Sequence, residues 1–192
     1  MPSAGADSAL LLRPLRAEDL DRVHAWYQDE RLFFDLVGSF MPRPRREAIA
    51  WMMRHWLDPA SRDVRLAICR TADGLHIGNT YLTGIDQRSR AADFHILIGG
   101  AAHRGRGYGT AATRATVEHA FARLGLRRLR LEVLARNGAA RRVYEKCGFV
   151  LEELRPRAVL KPDGWQDVCV MARTAEGAEA APERWQPAAR TT

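Results

Sequence analysis

The sequence predicts a single α/β domain, and three observations support that fold class. Residues 92–123 read as a bulky strand, a glycine-rich turn and an alanine-rich helix in direct succession. Apolar runs joined by short turns predict one β-hairpin before this central unit and another after it. The chain has 192 residues with 46% hydrophobic content, which suits one globular domain with a sizeable core.

Before the central unit, segments with a helical spacing of apolar residues alternate with short apolar runs. The predicted elements, in order, are a strand at 10–14, a helix through 20–27, a helix at about 46–57, and a hairpin with strands at 64–69 and 77–82. The turn of that hairpin is predicted at Ala72-Asp73-Gly74.

In the central unit, Phe94–Ile98 predict a largely buried strand, because these residues are bulky and mostly apolar. Gly99 and Gly100 end it, and alanines favour a helix after Thr110. The elements predicted after the unit are a strand at 129–134, a short helix opened by Asn137, a strand at 149–154, and a final hairpin with strands at 159–160 and 168–172.

The two ends of the chain differ in composition from the part between them. Residues 1–8 are expected to be a flexible N-terminus, and residues 9–173 are expected to form the folded domain. From residue 174 to residue 192, Ala, Glu, Pro, Gly and Thr dominate, which predicts a disordered tail.

The overall composition argues against metal, membrane and nucleic-acid partners. Cys69, Cys147 and Cys169 are scattered without metal-ligand spacing, so we expect no metal and reduced thiols in a cytoplasmic protein. The chain has no long apolar run for a membrane span, and its start does not resemble a signal peptide. The net charge of +7 could attract nucleic acid, but the arginines are spread out and no binding motif is present.

The glycine-rich turn predicts an anion site at the start of the helix that follows it. Glycines let the backbone approach a ligand closely. The unpaired N–H groups at a helix start carry partial positive charge, which suits a pyrophosphate. Two arginines in the turn add charge and hydrogen-bond donors. The turn reads Arg104-Gly105-Arg106-Gly107-Tyr108-Gly109.

Three phosphate-binding patterns compete for this turn. A Walker loop needs Lys and Ser/Thr after its last glycine, whereas Gly109 is followed by Thr110 and Ala111. A dinucleotide fingerprint needs G-x-G-x-x-G and an acidic residue about twenty positions on, at the end of a second strand. This turn reads G-x-G-x-G, and no acidic residue stands at that place. The third pattern, Arg/Gln-x-x-Gly-x-Gly/Ala, matches Arg104, Gly107 and Gly109. The remaining alternative is an arginine-rich surface turn without a ligand.

The order of the predicted elements resembles the GNAT acetyltransferase fold across about residues 9–173, and two segments carry the resemblance. The third phosphate pattern is the acyl-CoA pyrophosphate motif of that family. About thirty residues later, the segment NGAARRVYEKCGF at 137–149 is similar to the family signature N-x-x-A-x-x-x-Y-x-x-x-G-F. Residues 12–15 and 164–167 resemble the branch that holds the ribosomal-protein N-terminal acetyltransferases and the spermidine acetyltransferases.

The resemblance implies a mixed, mostly antiparallel sheet, flanked by helices, that splays between the strands at 94–98 and 129–134. Acetyl-CoA would lay its pantetheine arm in that gap, with backbone N–H groups near Leu97 and Ile98 holding its oxygens. Asn137 would hydrogen-bond the same arm, and the pyrophosphate would lie over the turn. The residues of the turn implied in cofactor binding are Arg104, Gly105, Arg106, Gly107, Tyr108, Gly109 and Thr110.

The resemblance also implies which residues handle protons. In acetyl transfer the attacking amine must lose a proton and the departing thiolate must gain one. Tyr144 matches the family tyrosine that acts as general acid toward the sulfur, and its alternative role is that of a core aromatic. Asp93 is the first candidate for the base, directly or through a water, and His95, on the same face of the strand by alternation, is the second. Asp29 and Glu30 are the other candidates.

The acceptor pocket is expected between the first two helices and the last hairpin. Its candidate residues are aromatic or acidic: Trp26, Tyr27, Asp29, Glu30, Phe33, Phe34, Asp35 and Trp165. Each aromatic residue could instead belong to the core. Arg43, Arg45 and Arg46 follow the acidic residues closely, unlike the acidic lining expected for a polyamine site.

The expected function is that of an N-acetyltransferase that moves the acetyl group from acetyl-CoA to a primary amine by direct attack in a ternary complex. The acceptor alternatives are a protein N-terminal amine, a polyamine, and an amino sugar or aminoglycoside. A different class of function is a non-catalytic acyl-CoA-binding sensor that keeps the fold without the chemistry. The resemblance is also compatible with a homodimer, because dimers are common in the families that the chain resembles.

Overall fold

A computed structural model describes residues 10–38 and 43–176 of the chain. The strands are β1 (Leu10–Pro14), β2 (Val64–Arg70), β3 (His76–Asp86), β4 (Ala91–Ile98), β5 (Arg128–Leu134), β6 (Val150–Lys161) and β7 (Gly164–Thr174). The helices are α1 (Leu20–Tyr27), α2 (Glu30–Phe34), α3 (Arg45–Trp56), α4 (Tyr108–Glu118) and α5 (Gly138–Lys146). A π-helical turn at His119–Arg123 extends α4 toward β5.

The strands form one seven-stranded sheet in the order β1-β2-β3-β4-β5-β7-β6. β4 and β5 run parallel, and the other neighbouring pairs run antiparallel. A parallel pair needs a long crossover connection, which α4 supplies between these two strands. The predicted α/β fold with a mixed, mostly antiparallel sheet flanked by helices is therefore confirmed.

Strand alternation divides the core between the two faces of the sheet. Under α4 and α5, the cluster includes Phe94, Leu129 and Phe149, none more than 2% exposed. On the opposite face, Leu20 and Val23 of α1 pack with residues of α3 and β2. Each face of β4 therefore meets a different set of helices.

β6 differs from the prediction, which placed separate strands at 149–154 and 159–160. The structure has one long edge strand with irregular pairing between Arg155 and Val159. Pro156 has no N–H to donate, and Arg157 adopts a positive φ of 47°. An edge strand tolerates both at a bulge, so the strand continues past the proline.

The start of the predicted tail belongs to the sheet. Thr174 pairs with Arg128, and the Ala175 N–H donates to the Arg127 carbonyl at 2.9 Å. These contacts extend the domain beyond the predicted boundary at residue 173. The remainder of the predicted tail, from residue 177, and the predicted flexible N-terminus at 1–8 lie outside the described residues.

All three cysteines are buried free thiols. Among the described residues, no helix has the length and apolar character needed to cross a membrane. The same part of the chain contains no group of three or more His, Cys, Asp or Glu side chains arranged to hold a metal ion.

Candidate active site

A wedge-shaped gap opens between the two parallel strands at the centre of the sheet. β4 pairs with β5 only at its first three residues, where Ala91, Ala92 and Asp93 lie opposite Arg128, Leu129 and Arg130. Beyond these pairs, β4 continues to Ile98 and β5 to Leu134. The splay implied by the resemblance is present, and it leaves one side of β4 without a strand partner.

The backbone of β4 offers hydrogen-bonding groups to this gap. The Gly99 N–H donates to the Ile77 carbonyl of β3 at 2.9 Å. Successive residues of a strand direct their N–H groups to opposite sides. Ile98 therefore directs its N–H into the gap, whereas Leu97 directs its N–H toward β3. Ile96, which the sequence reasoning did not single out, shares the direction of Ile98.

The glycine-rich turn presents open backbone N–H groups at the start of α4. Gly105 and Gly107 adopt positive φ values of 72° and 84°, which other residues rarely adopt. Gly107 is the N-cap of α4, and its carbonyl accepts from the Ala111 N–H at 3.0 Å. The N–H groups of Tyr108, Gly109 and Thr110 precede the first intrahelical bond, and they fit a phosphate group.

The two arginines of the turn have different surroundings, since one contacts the end of β4 and the other is exposed. Arg104 folds back onto the end of β4, where its Nε donates to the Ile98 carbonyl at 3.1 Å and its Nη2 to the Gly99 carbonyl at 2.7 Å. Arg104 therefore braces the turn against the strand. Arg106 is exposed at the tip of the turn, where its charge faces solvent.

Tyr144 lies on α5 and packs against the β4 face that the helices α4 and α5 cover. Its ring centroid is 6.2 Å from that of Phe94 and 6.0 Å from that of Phe149, and the residue is 8% exposed. Burial, with a smaller contribution from Cys147, raises the pKa of Tyr144 to about 12. The phenol therefore keeps its proton at neutral pH, as a proton donor must.

Asn137 is the N-cap of α5, and both halves of its amide are engaged. Its Oδ1 accepts from the Ala140 N–H at 3.0 Å, which satisfies one of the open donors of the helix start. Its Nδ2 donates to the Asp35 carbonyl at 3.0 Å, just beyond α2. One N–H of the Nδ2 group remains for a ligand beside the gap.

Asp93 and His95 lie on the opposite face of β4 from Tyr144. The Asp93 carboxylate is 3.4 Å from Nη1 of Arg130, and His95 Nε2 is 3.0 Å from the Thr83 hydroxyl. Leu97 shares their face and packs against α2. The structure thus brings Asp93 and His95 to one side of the gap and Tyr144, the acid candidate, to the other.

Three of the predicted acceptor-site aromatics pack together. Trp26, Tyr27 and Phe33 contact the cluster around Leu97, with the Tyr27 and Phe33 rings 5.2 Å apart. The Trp26 indole also covers Gly99 so closely that a Cβ there would overlap the ring. Trp165 lies apart on the last hairpin and is 59% exposed.

Two of the three acidic candidates, Asp29 and Glu30, stand at the start of α2, and Asp35 follows its end. Asp29 is its N-cap and accepts from the Arg31 N–H at 3.0 Å, whereas Glu30 is exposed. Of the cationic residues that follow, Arg45 forms an ion pair with Asp21 at 2.6 Å. That pairing offsets part of the positive charge that the sequence places near the acidic residues.

Comparison with known proteins agrees with this geometry. A sequence profile described as an acetyltransferase (GNAT) domain matches residues 9–150. This chain belongs to the GNAT acetyltransferase family. It is therefore an acyltransferase, as its sequence predicts.

Two of the relatives that match this acetyltransferase are bacterial proteins. The protein named probable N-acetyltransferase YjcK of Bacillus subtilis is 39% identical over 170 residues, which cover 85% of this chain and 92% of the relative. The spermidine N(1)-acetyltransferase of Vibrio cholerae is 28% identical over 156 residues, which cover 76% of this chain and 82% of the relative.

Solved structures of a Vibrio cholerae spermidine N-acetyltransferase share the fold. A complex with CoA and spermine superposes with a TM-score of 0.79 at 26% identity, covering 87% of this acetyltransferase and 96% of that chain. A dodecameric form of the Vibrio cholerae protein superposes with a TM-score of 0.73 at 27% identity, covering 87% and 94%. The homodimer expected for this acetyltransferase stays a prediction.

Sequence reasoning missed several polar residues around the gap of this acetyltransferase. Arg130 beside Asp93 and Thr83 beside His95 come from neighbouring strands, so only the sheet register brings them together. Arg136 and Lys161 contact the end of α2 from more than 100 positions further along the chain. No local pattern in the sequence marks such contacts.

Proposed function

We propose that this acetyltransferase moves the acetyl group of acetyl-CoA to a primary amine by direct attack in a ternary complex. The observation that carries the proposal is the open start of α4, with its two positive-φ glycines, beside the gap between β4 and β5. An anion site at a helix start next to a strand with open N–H groups suits a ligand with a pyrophosphate and an amide-bearing arm.

Bound acetyl-CoA supplies an activated thioester. The N–H groups of residues 108–110, with Arg106 nearby, would hold its phosphates, since both offer positive charge there. The Ile98 N–H and the remaining N–H of Asn137 would hold the arm in the gap. Arg104 would act indirectly, because its guanidinium is bonded to the end of β4.

The proton handlers approach the gap from opposite faces of β4. Asp93 or His95 would take the proton of the attacking amine on the face shared with α2. Tyr144 would give its proton to the departing sulfur on the face under α5, where burial keeps the phenol protonated. Because the two proton handlers lie on separate sides, the amine can enter from one side while the thiol departs toward the other.

The acceptor is proposed to be a small cationic amine. Two sets of observations support this class: the acidic residues at α2, and relatives that are described as spermidine acetyltransferases. The ion pair between Arg45 and Asp21 reduces the conflict with the arginines that follow. A protein N-terminal amine and an amino sugar or aminoglycoside remain the competing acceptors.

Release of free CoA thiol with a panel of amines tests the proposal. The panel contains spermidine, a short peptide with a free N-terminus, glucosamine and an aminoglycoside, each at equal concentration. We expect rapid thiol release with at least one amine, with spermidine first, and a matching mass increase of that amine by one acetyl group. Tight acetyl-CoA binding without turnover on any amine would contradict the proposal and favour the acyl-CoA sensor.

A further inference from the structure

α2 lies across the open end of the gap. At one side, Leu32 and Phe33 of α2 pack against Leu97 near the end of β4. At the other side, the carbonyls that end α2 meet residues just beyond the end of β5. Since Leu97 shares its face with the base candidates, α2 borders the side from which the acceptor amine would approach.

α2 cannot hold this position by its own helical structure. It has five residues, and isolated helices shorter than about 12–15 residues are marginal in water. The last carbonyls of any helix have no intrahelical partner. Donors from other elements must therefore satisfy them and fix the segment.

Three side chains from the second half of the chain supply those donors. Arg136 Nη2 donates to the Phe34 carbonyl at 2.6 Å, and its guanidinium lies 4.2 Å over the Phe34 ring. Asn137 Nδ2 donates to the Asp35 carbonyl at 3.0 Å. Lys161 Nζ donates to the Phe33 carbonyl at 3.1 Å and to the Gly38 carbonyl at 2.6 Å.

Lys161 is the anchor with the fewest other contacts. Arg136 also pairs with Asp163, and Asn137 also caps α5. Lys161 is 7% exposed at the tip of the β6–β7 hairpin, and its ammonium bonds two carbonyls, one on each side of the end of α2. Burying an ammonium is costly, and hydrogen bonds from a charged donor are strong, so these bonds offset that cost.

We propose that Lys161 is a positioning residue for the acceptor amine: it holds α2 across the open end of the β4–β5 gap as the wall of the acceptor site. The proposal rests on the amine acetyltransfer proposed above. Lys161 does not touch the reacting atoms; it acts through the backbone of Phe33 and Gly38. Burial, followed by repulsion from Arg136, lowers the pKa of Lys161, which agrees with a cation held for its bonds rather than for solvation.

The chain offers a matched control, because it has two lysines, Lys161 and the exposed Lys146 on α5. Lys161→Met and Lys146→Met each remove one ammonium and keep the apolar stem. Hydrogen–deuterium exchange of the full chain reports on α2 without any acceptor. We expect exchange of the amides at 32–38 to rise about ten- to a hundredfold in Lys161→Met, the effect of losing hydrogen bonds from a charged donor. Lys146→Met should leave that segment unchanged.

Kinetics with the best amine of the panel give the second readout. In Lys161→Met we expect KM for the amine to rise about tenfold or more, with KM for acetyl-CoA within about twofold of wild type. A general loss of folding would instead lower the melting temperature and impair both substrates together. Unchanged exchange at 32–38, or raised exchange with an unchanged amine KM, overturns the proposal. If no amine is acetylated, acetyltransfer itself fails, and exchange at 32–38 still decides whether Lys161 anchors α2.

Discussion

The Tyr144 phenol combines a buried ring with a proton that stays in place over a wide pH range. Phe94 of β4 and Phe149, directly before β6, both contact the ring edge-on. Burial raises the pKa of Tyr144 to about 12, because the phenolate would lose its hydration. At neutral pH this side chain can therefore act as a general acid but not as a general base.

Replacing Tyr144 with Phe tests the acid role, because it removes only the hydroxyl and keeps the ring packing. A positioned general acid contributes roughly two to four orders of magnitude in rate. We therefore expect turnover to fall by about that factor where sulfur departure limits the rate, with little change in acetyl-CoA affinity. Stopped-flow thiol release and calorimetry measure the two quantities.

The pH dependence of the wild-type enzyme bears on the same role. Since the pKa of Tyr144 is about 12, loss of its proton should reduce turnover only above about pH 11. Any rise at lower pH belongs to the amine and its base, so Tyr144→Phe should keep that limb of the profile. If Tyr144→Phe turns over as fast as wild type, and chemistry is shown to limit the rate, then Tyr144 is only a core residue and not the acid.

At the scale of elements, the turn before α4 works together with the end of β4. Positive φ at Gly105 and Gly107 curls the chain so that α4 starts with its N–H groups exposed. Arg104 ties the turn to the Ile98 and Gly99 carbonyls, so the anion site and the strand edge form one rigid corner. The corner holds its N–H donors for a phosphate at a fixed position relative to its N–H donors for an amide-bearing arm.

Replacing Gly107 with Val should abolish this anion site. A β-branched residue rarely adopts the φ of 84° found there, and its side chain obstructs the approach of a phosphate. We expect CoA affinity, measured by calorimetry, to fall about ten- to a hundredfold, as for the loss of hydrogen bonds to a charged group.

Gly125→Val provides the matched control for backbone strain. Gly125 also has a positive φ, 66°, and it lies beyond α4, away from the turn, with open space around it. Both variants should lose similar stability, but only Gly107→Val should lose CoA affinity. Equal affinity in a folded Gly107→Val variant and in wild type would exclude the turn as the pyrophosphate site.

At the scale of the whole molecule, a partly buried ion pair joins the first strand to the rest of the fold. Arg13 of β1 donates to both carboxylate oxygens of Asp19 at 2.7 Å, and Asp19 lies 3.3 Å from His76 of β3. Burial raises the pKa of Asp19, but hydrogen bonds from Arg13 and from the Arg16 N–H outweigh it and hold the pKa below 3.8. Burial also lowers the pKa of His76 below 6.5, so the imidazole is neutral at pH 7.

Asp19→Asn should destabilise the protein at neutral pH by about 2 kcal/mol, because it leaves the partly buried Arg13 guanidinium without its ion-pair partner. The folded-state pKa of Asp19 lies below its unfolded value, so the pair contributes stability above pH 3.8 and loses it as pH falls through the folded pKa. The difference in unfolding free energy between wild type and variant should therefore shrink below pH 3.8. Urea unfolding at pH 7 and pH 3 measures it, and a constant difference would contradict this account.

Local patterns predicted the elements of this fold well where a pattern is long enough to read. The strand at 94–98, the turn at 104–109 and the helix behind it form one contiguous signal, and the structure contains all three. α2 has too few residues for helical periodicity, so it was not predicted. β6 was predicted as two strands, and its place at the edge of the sheet is what lets a single strand continue through Pro156.

The sequence by itself determined the α/β fold, the family and the two motifs, because hydrophobic spacing, glycine positions and the Asn137–Phe149 signature are local properties of the chain. The tertiary structure decided which side chains meet. The strand register sets Arg130 beside Asp93, and the packing of α5 on the sheet puts Tyr144 on the other face of β4. The contact between Lys161 and α2 joins residues more than 120 positions apart. Such contacts depend on how helices and strands pack, and no short-range pattern encodes them.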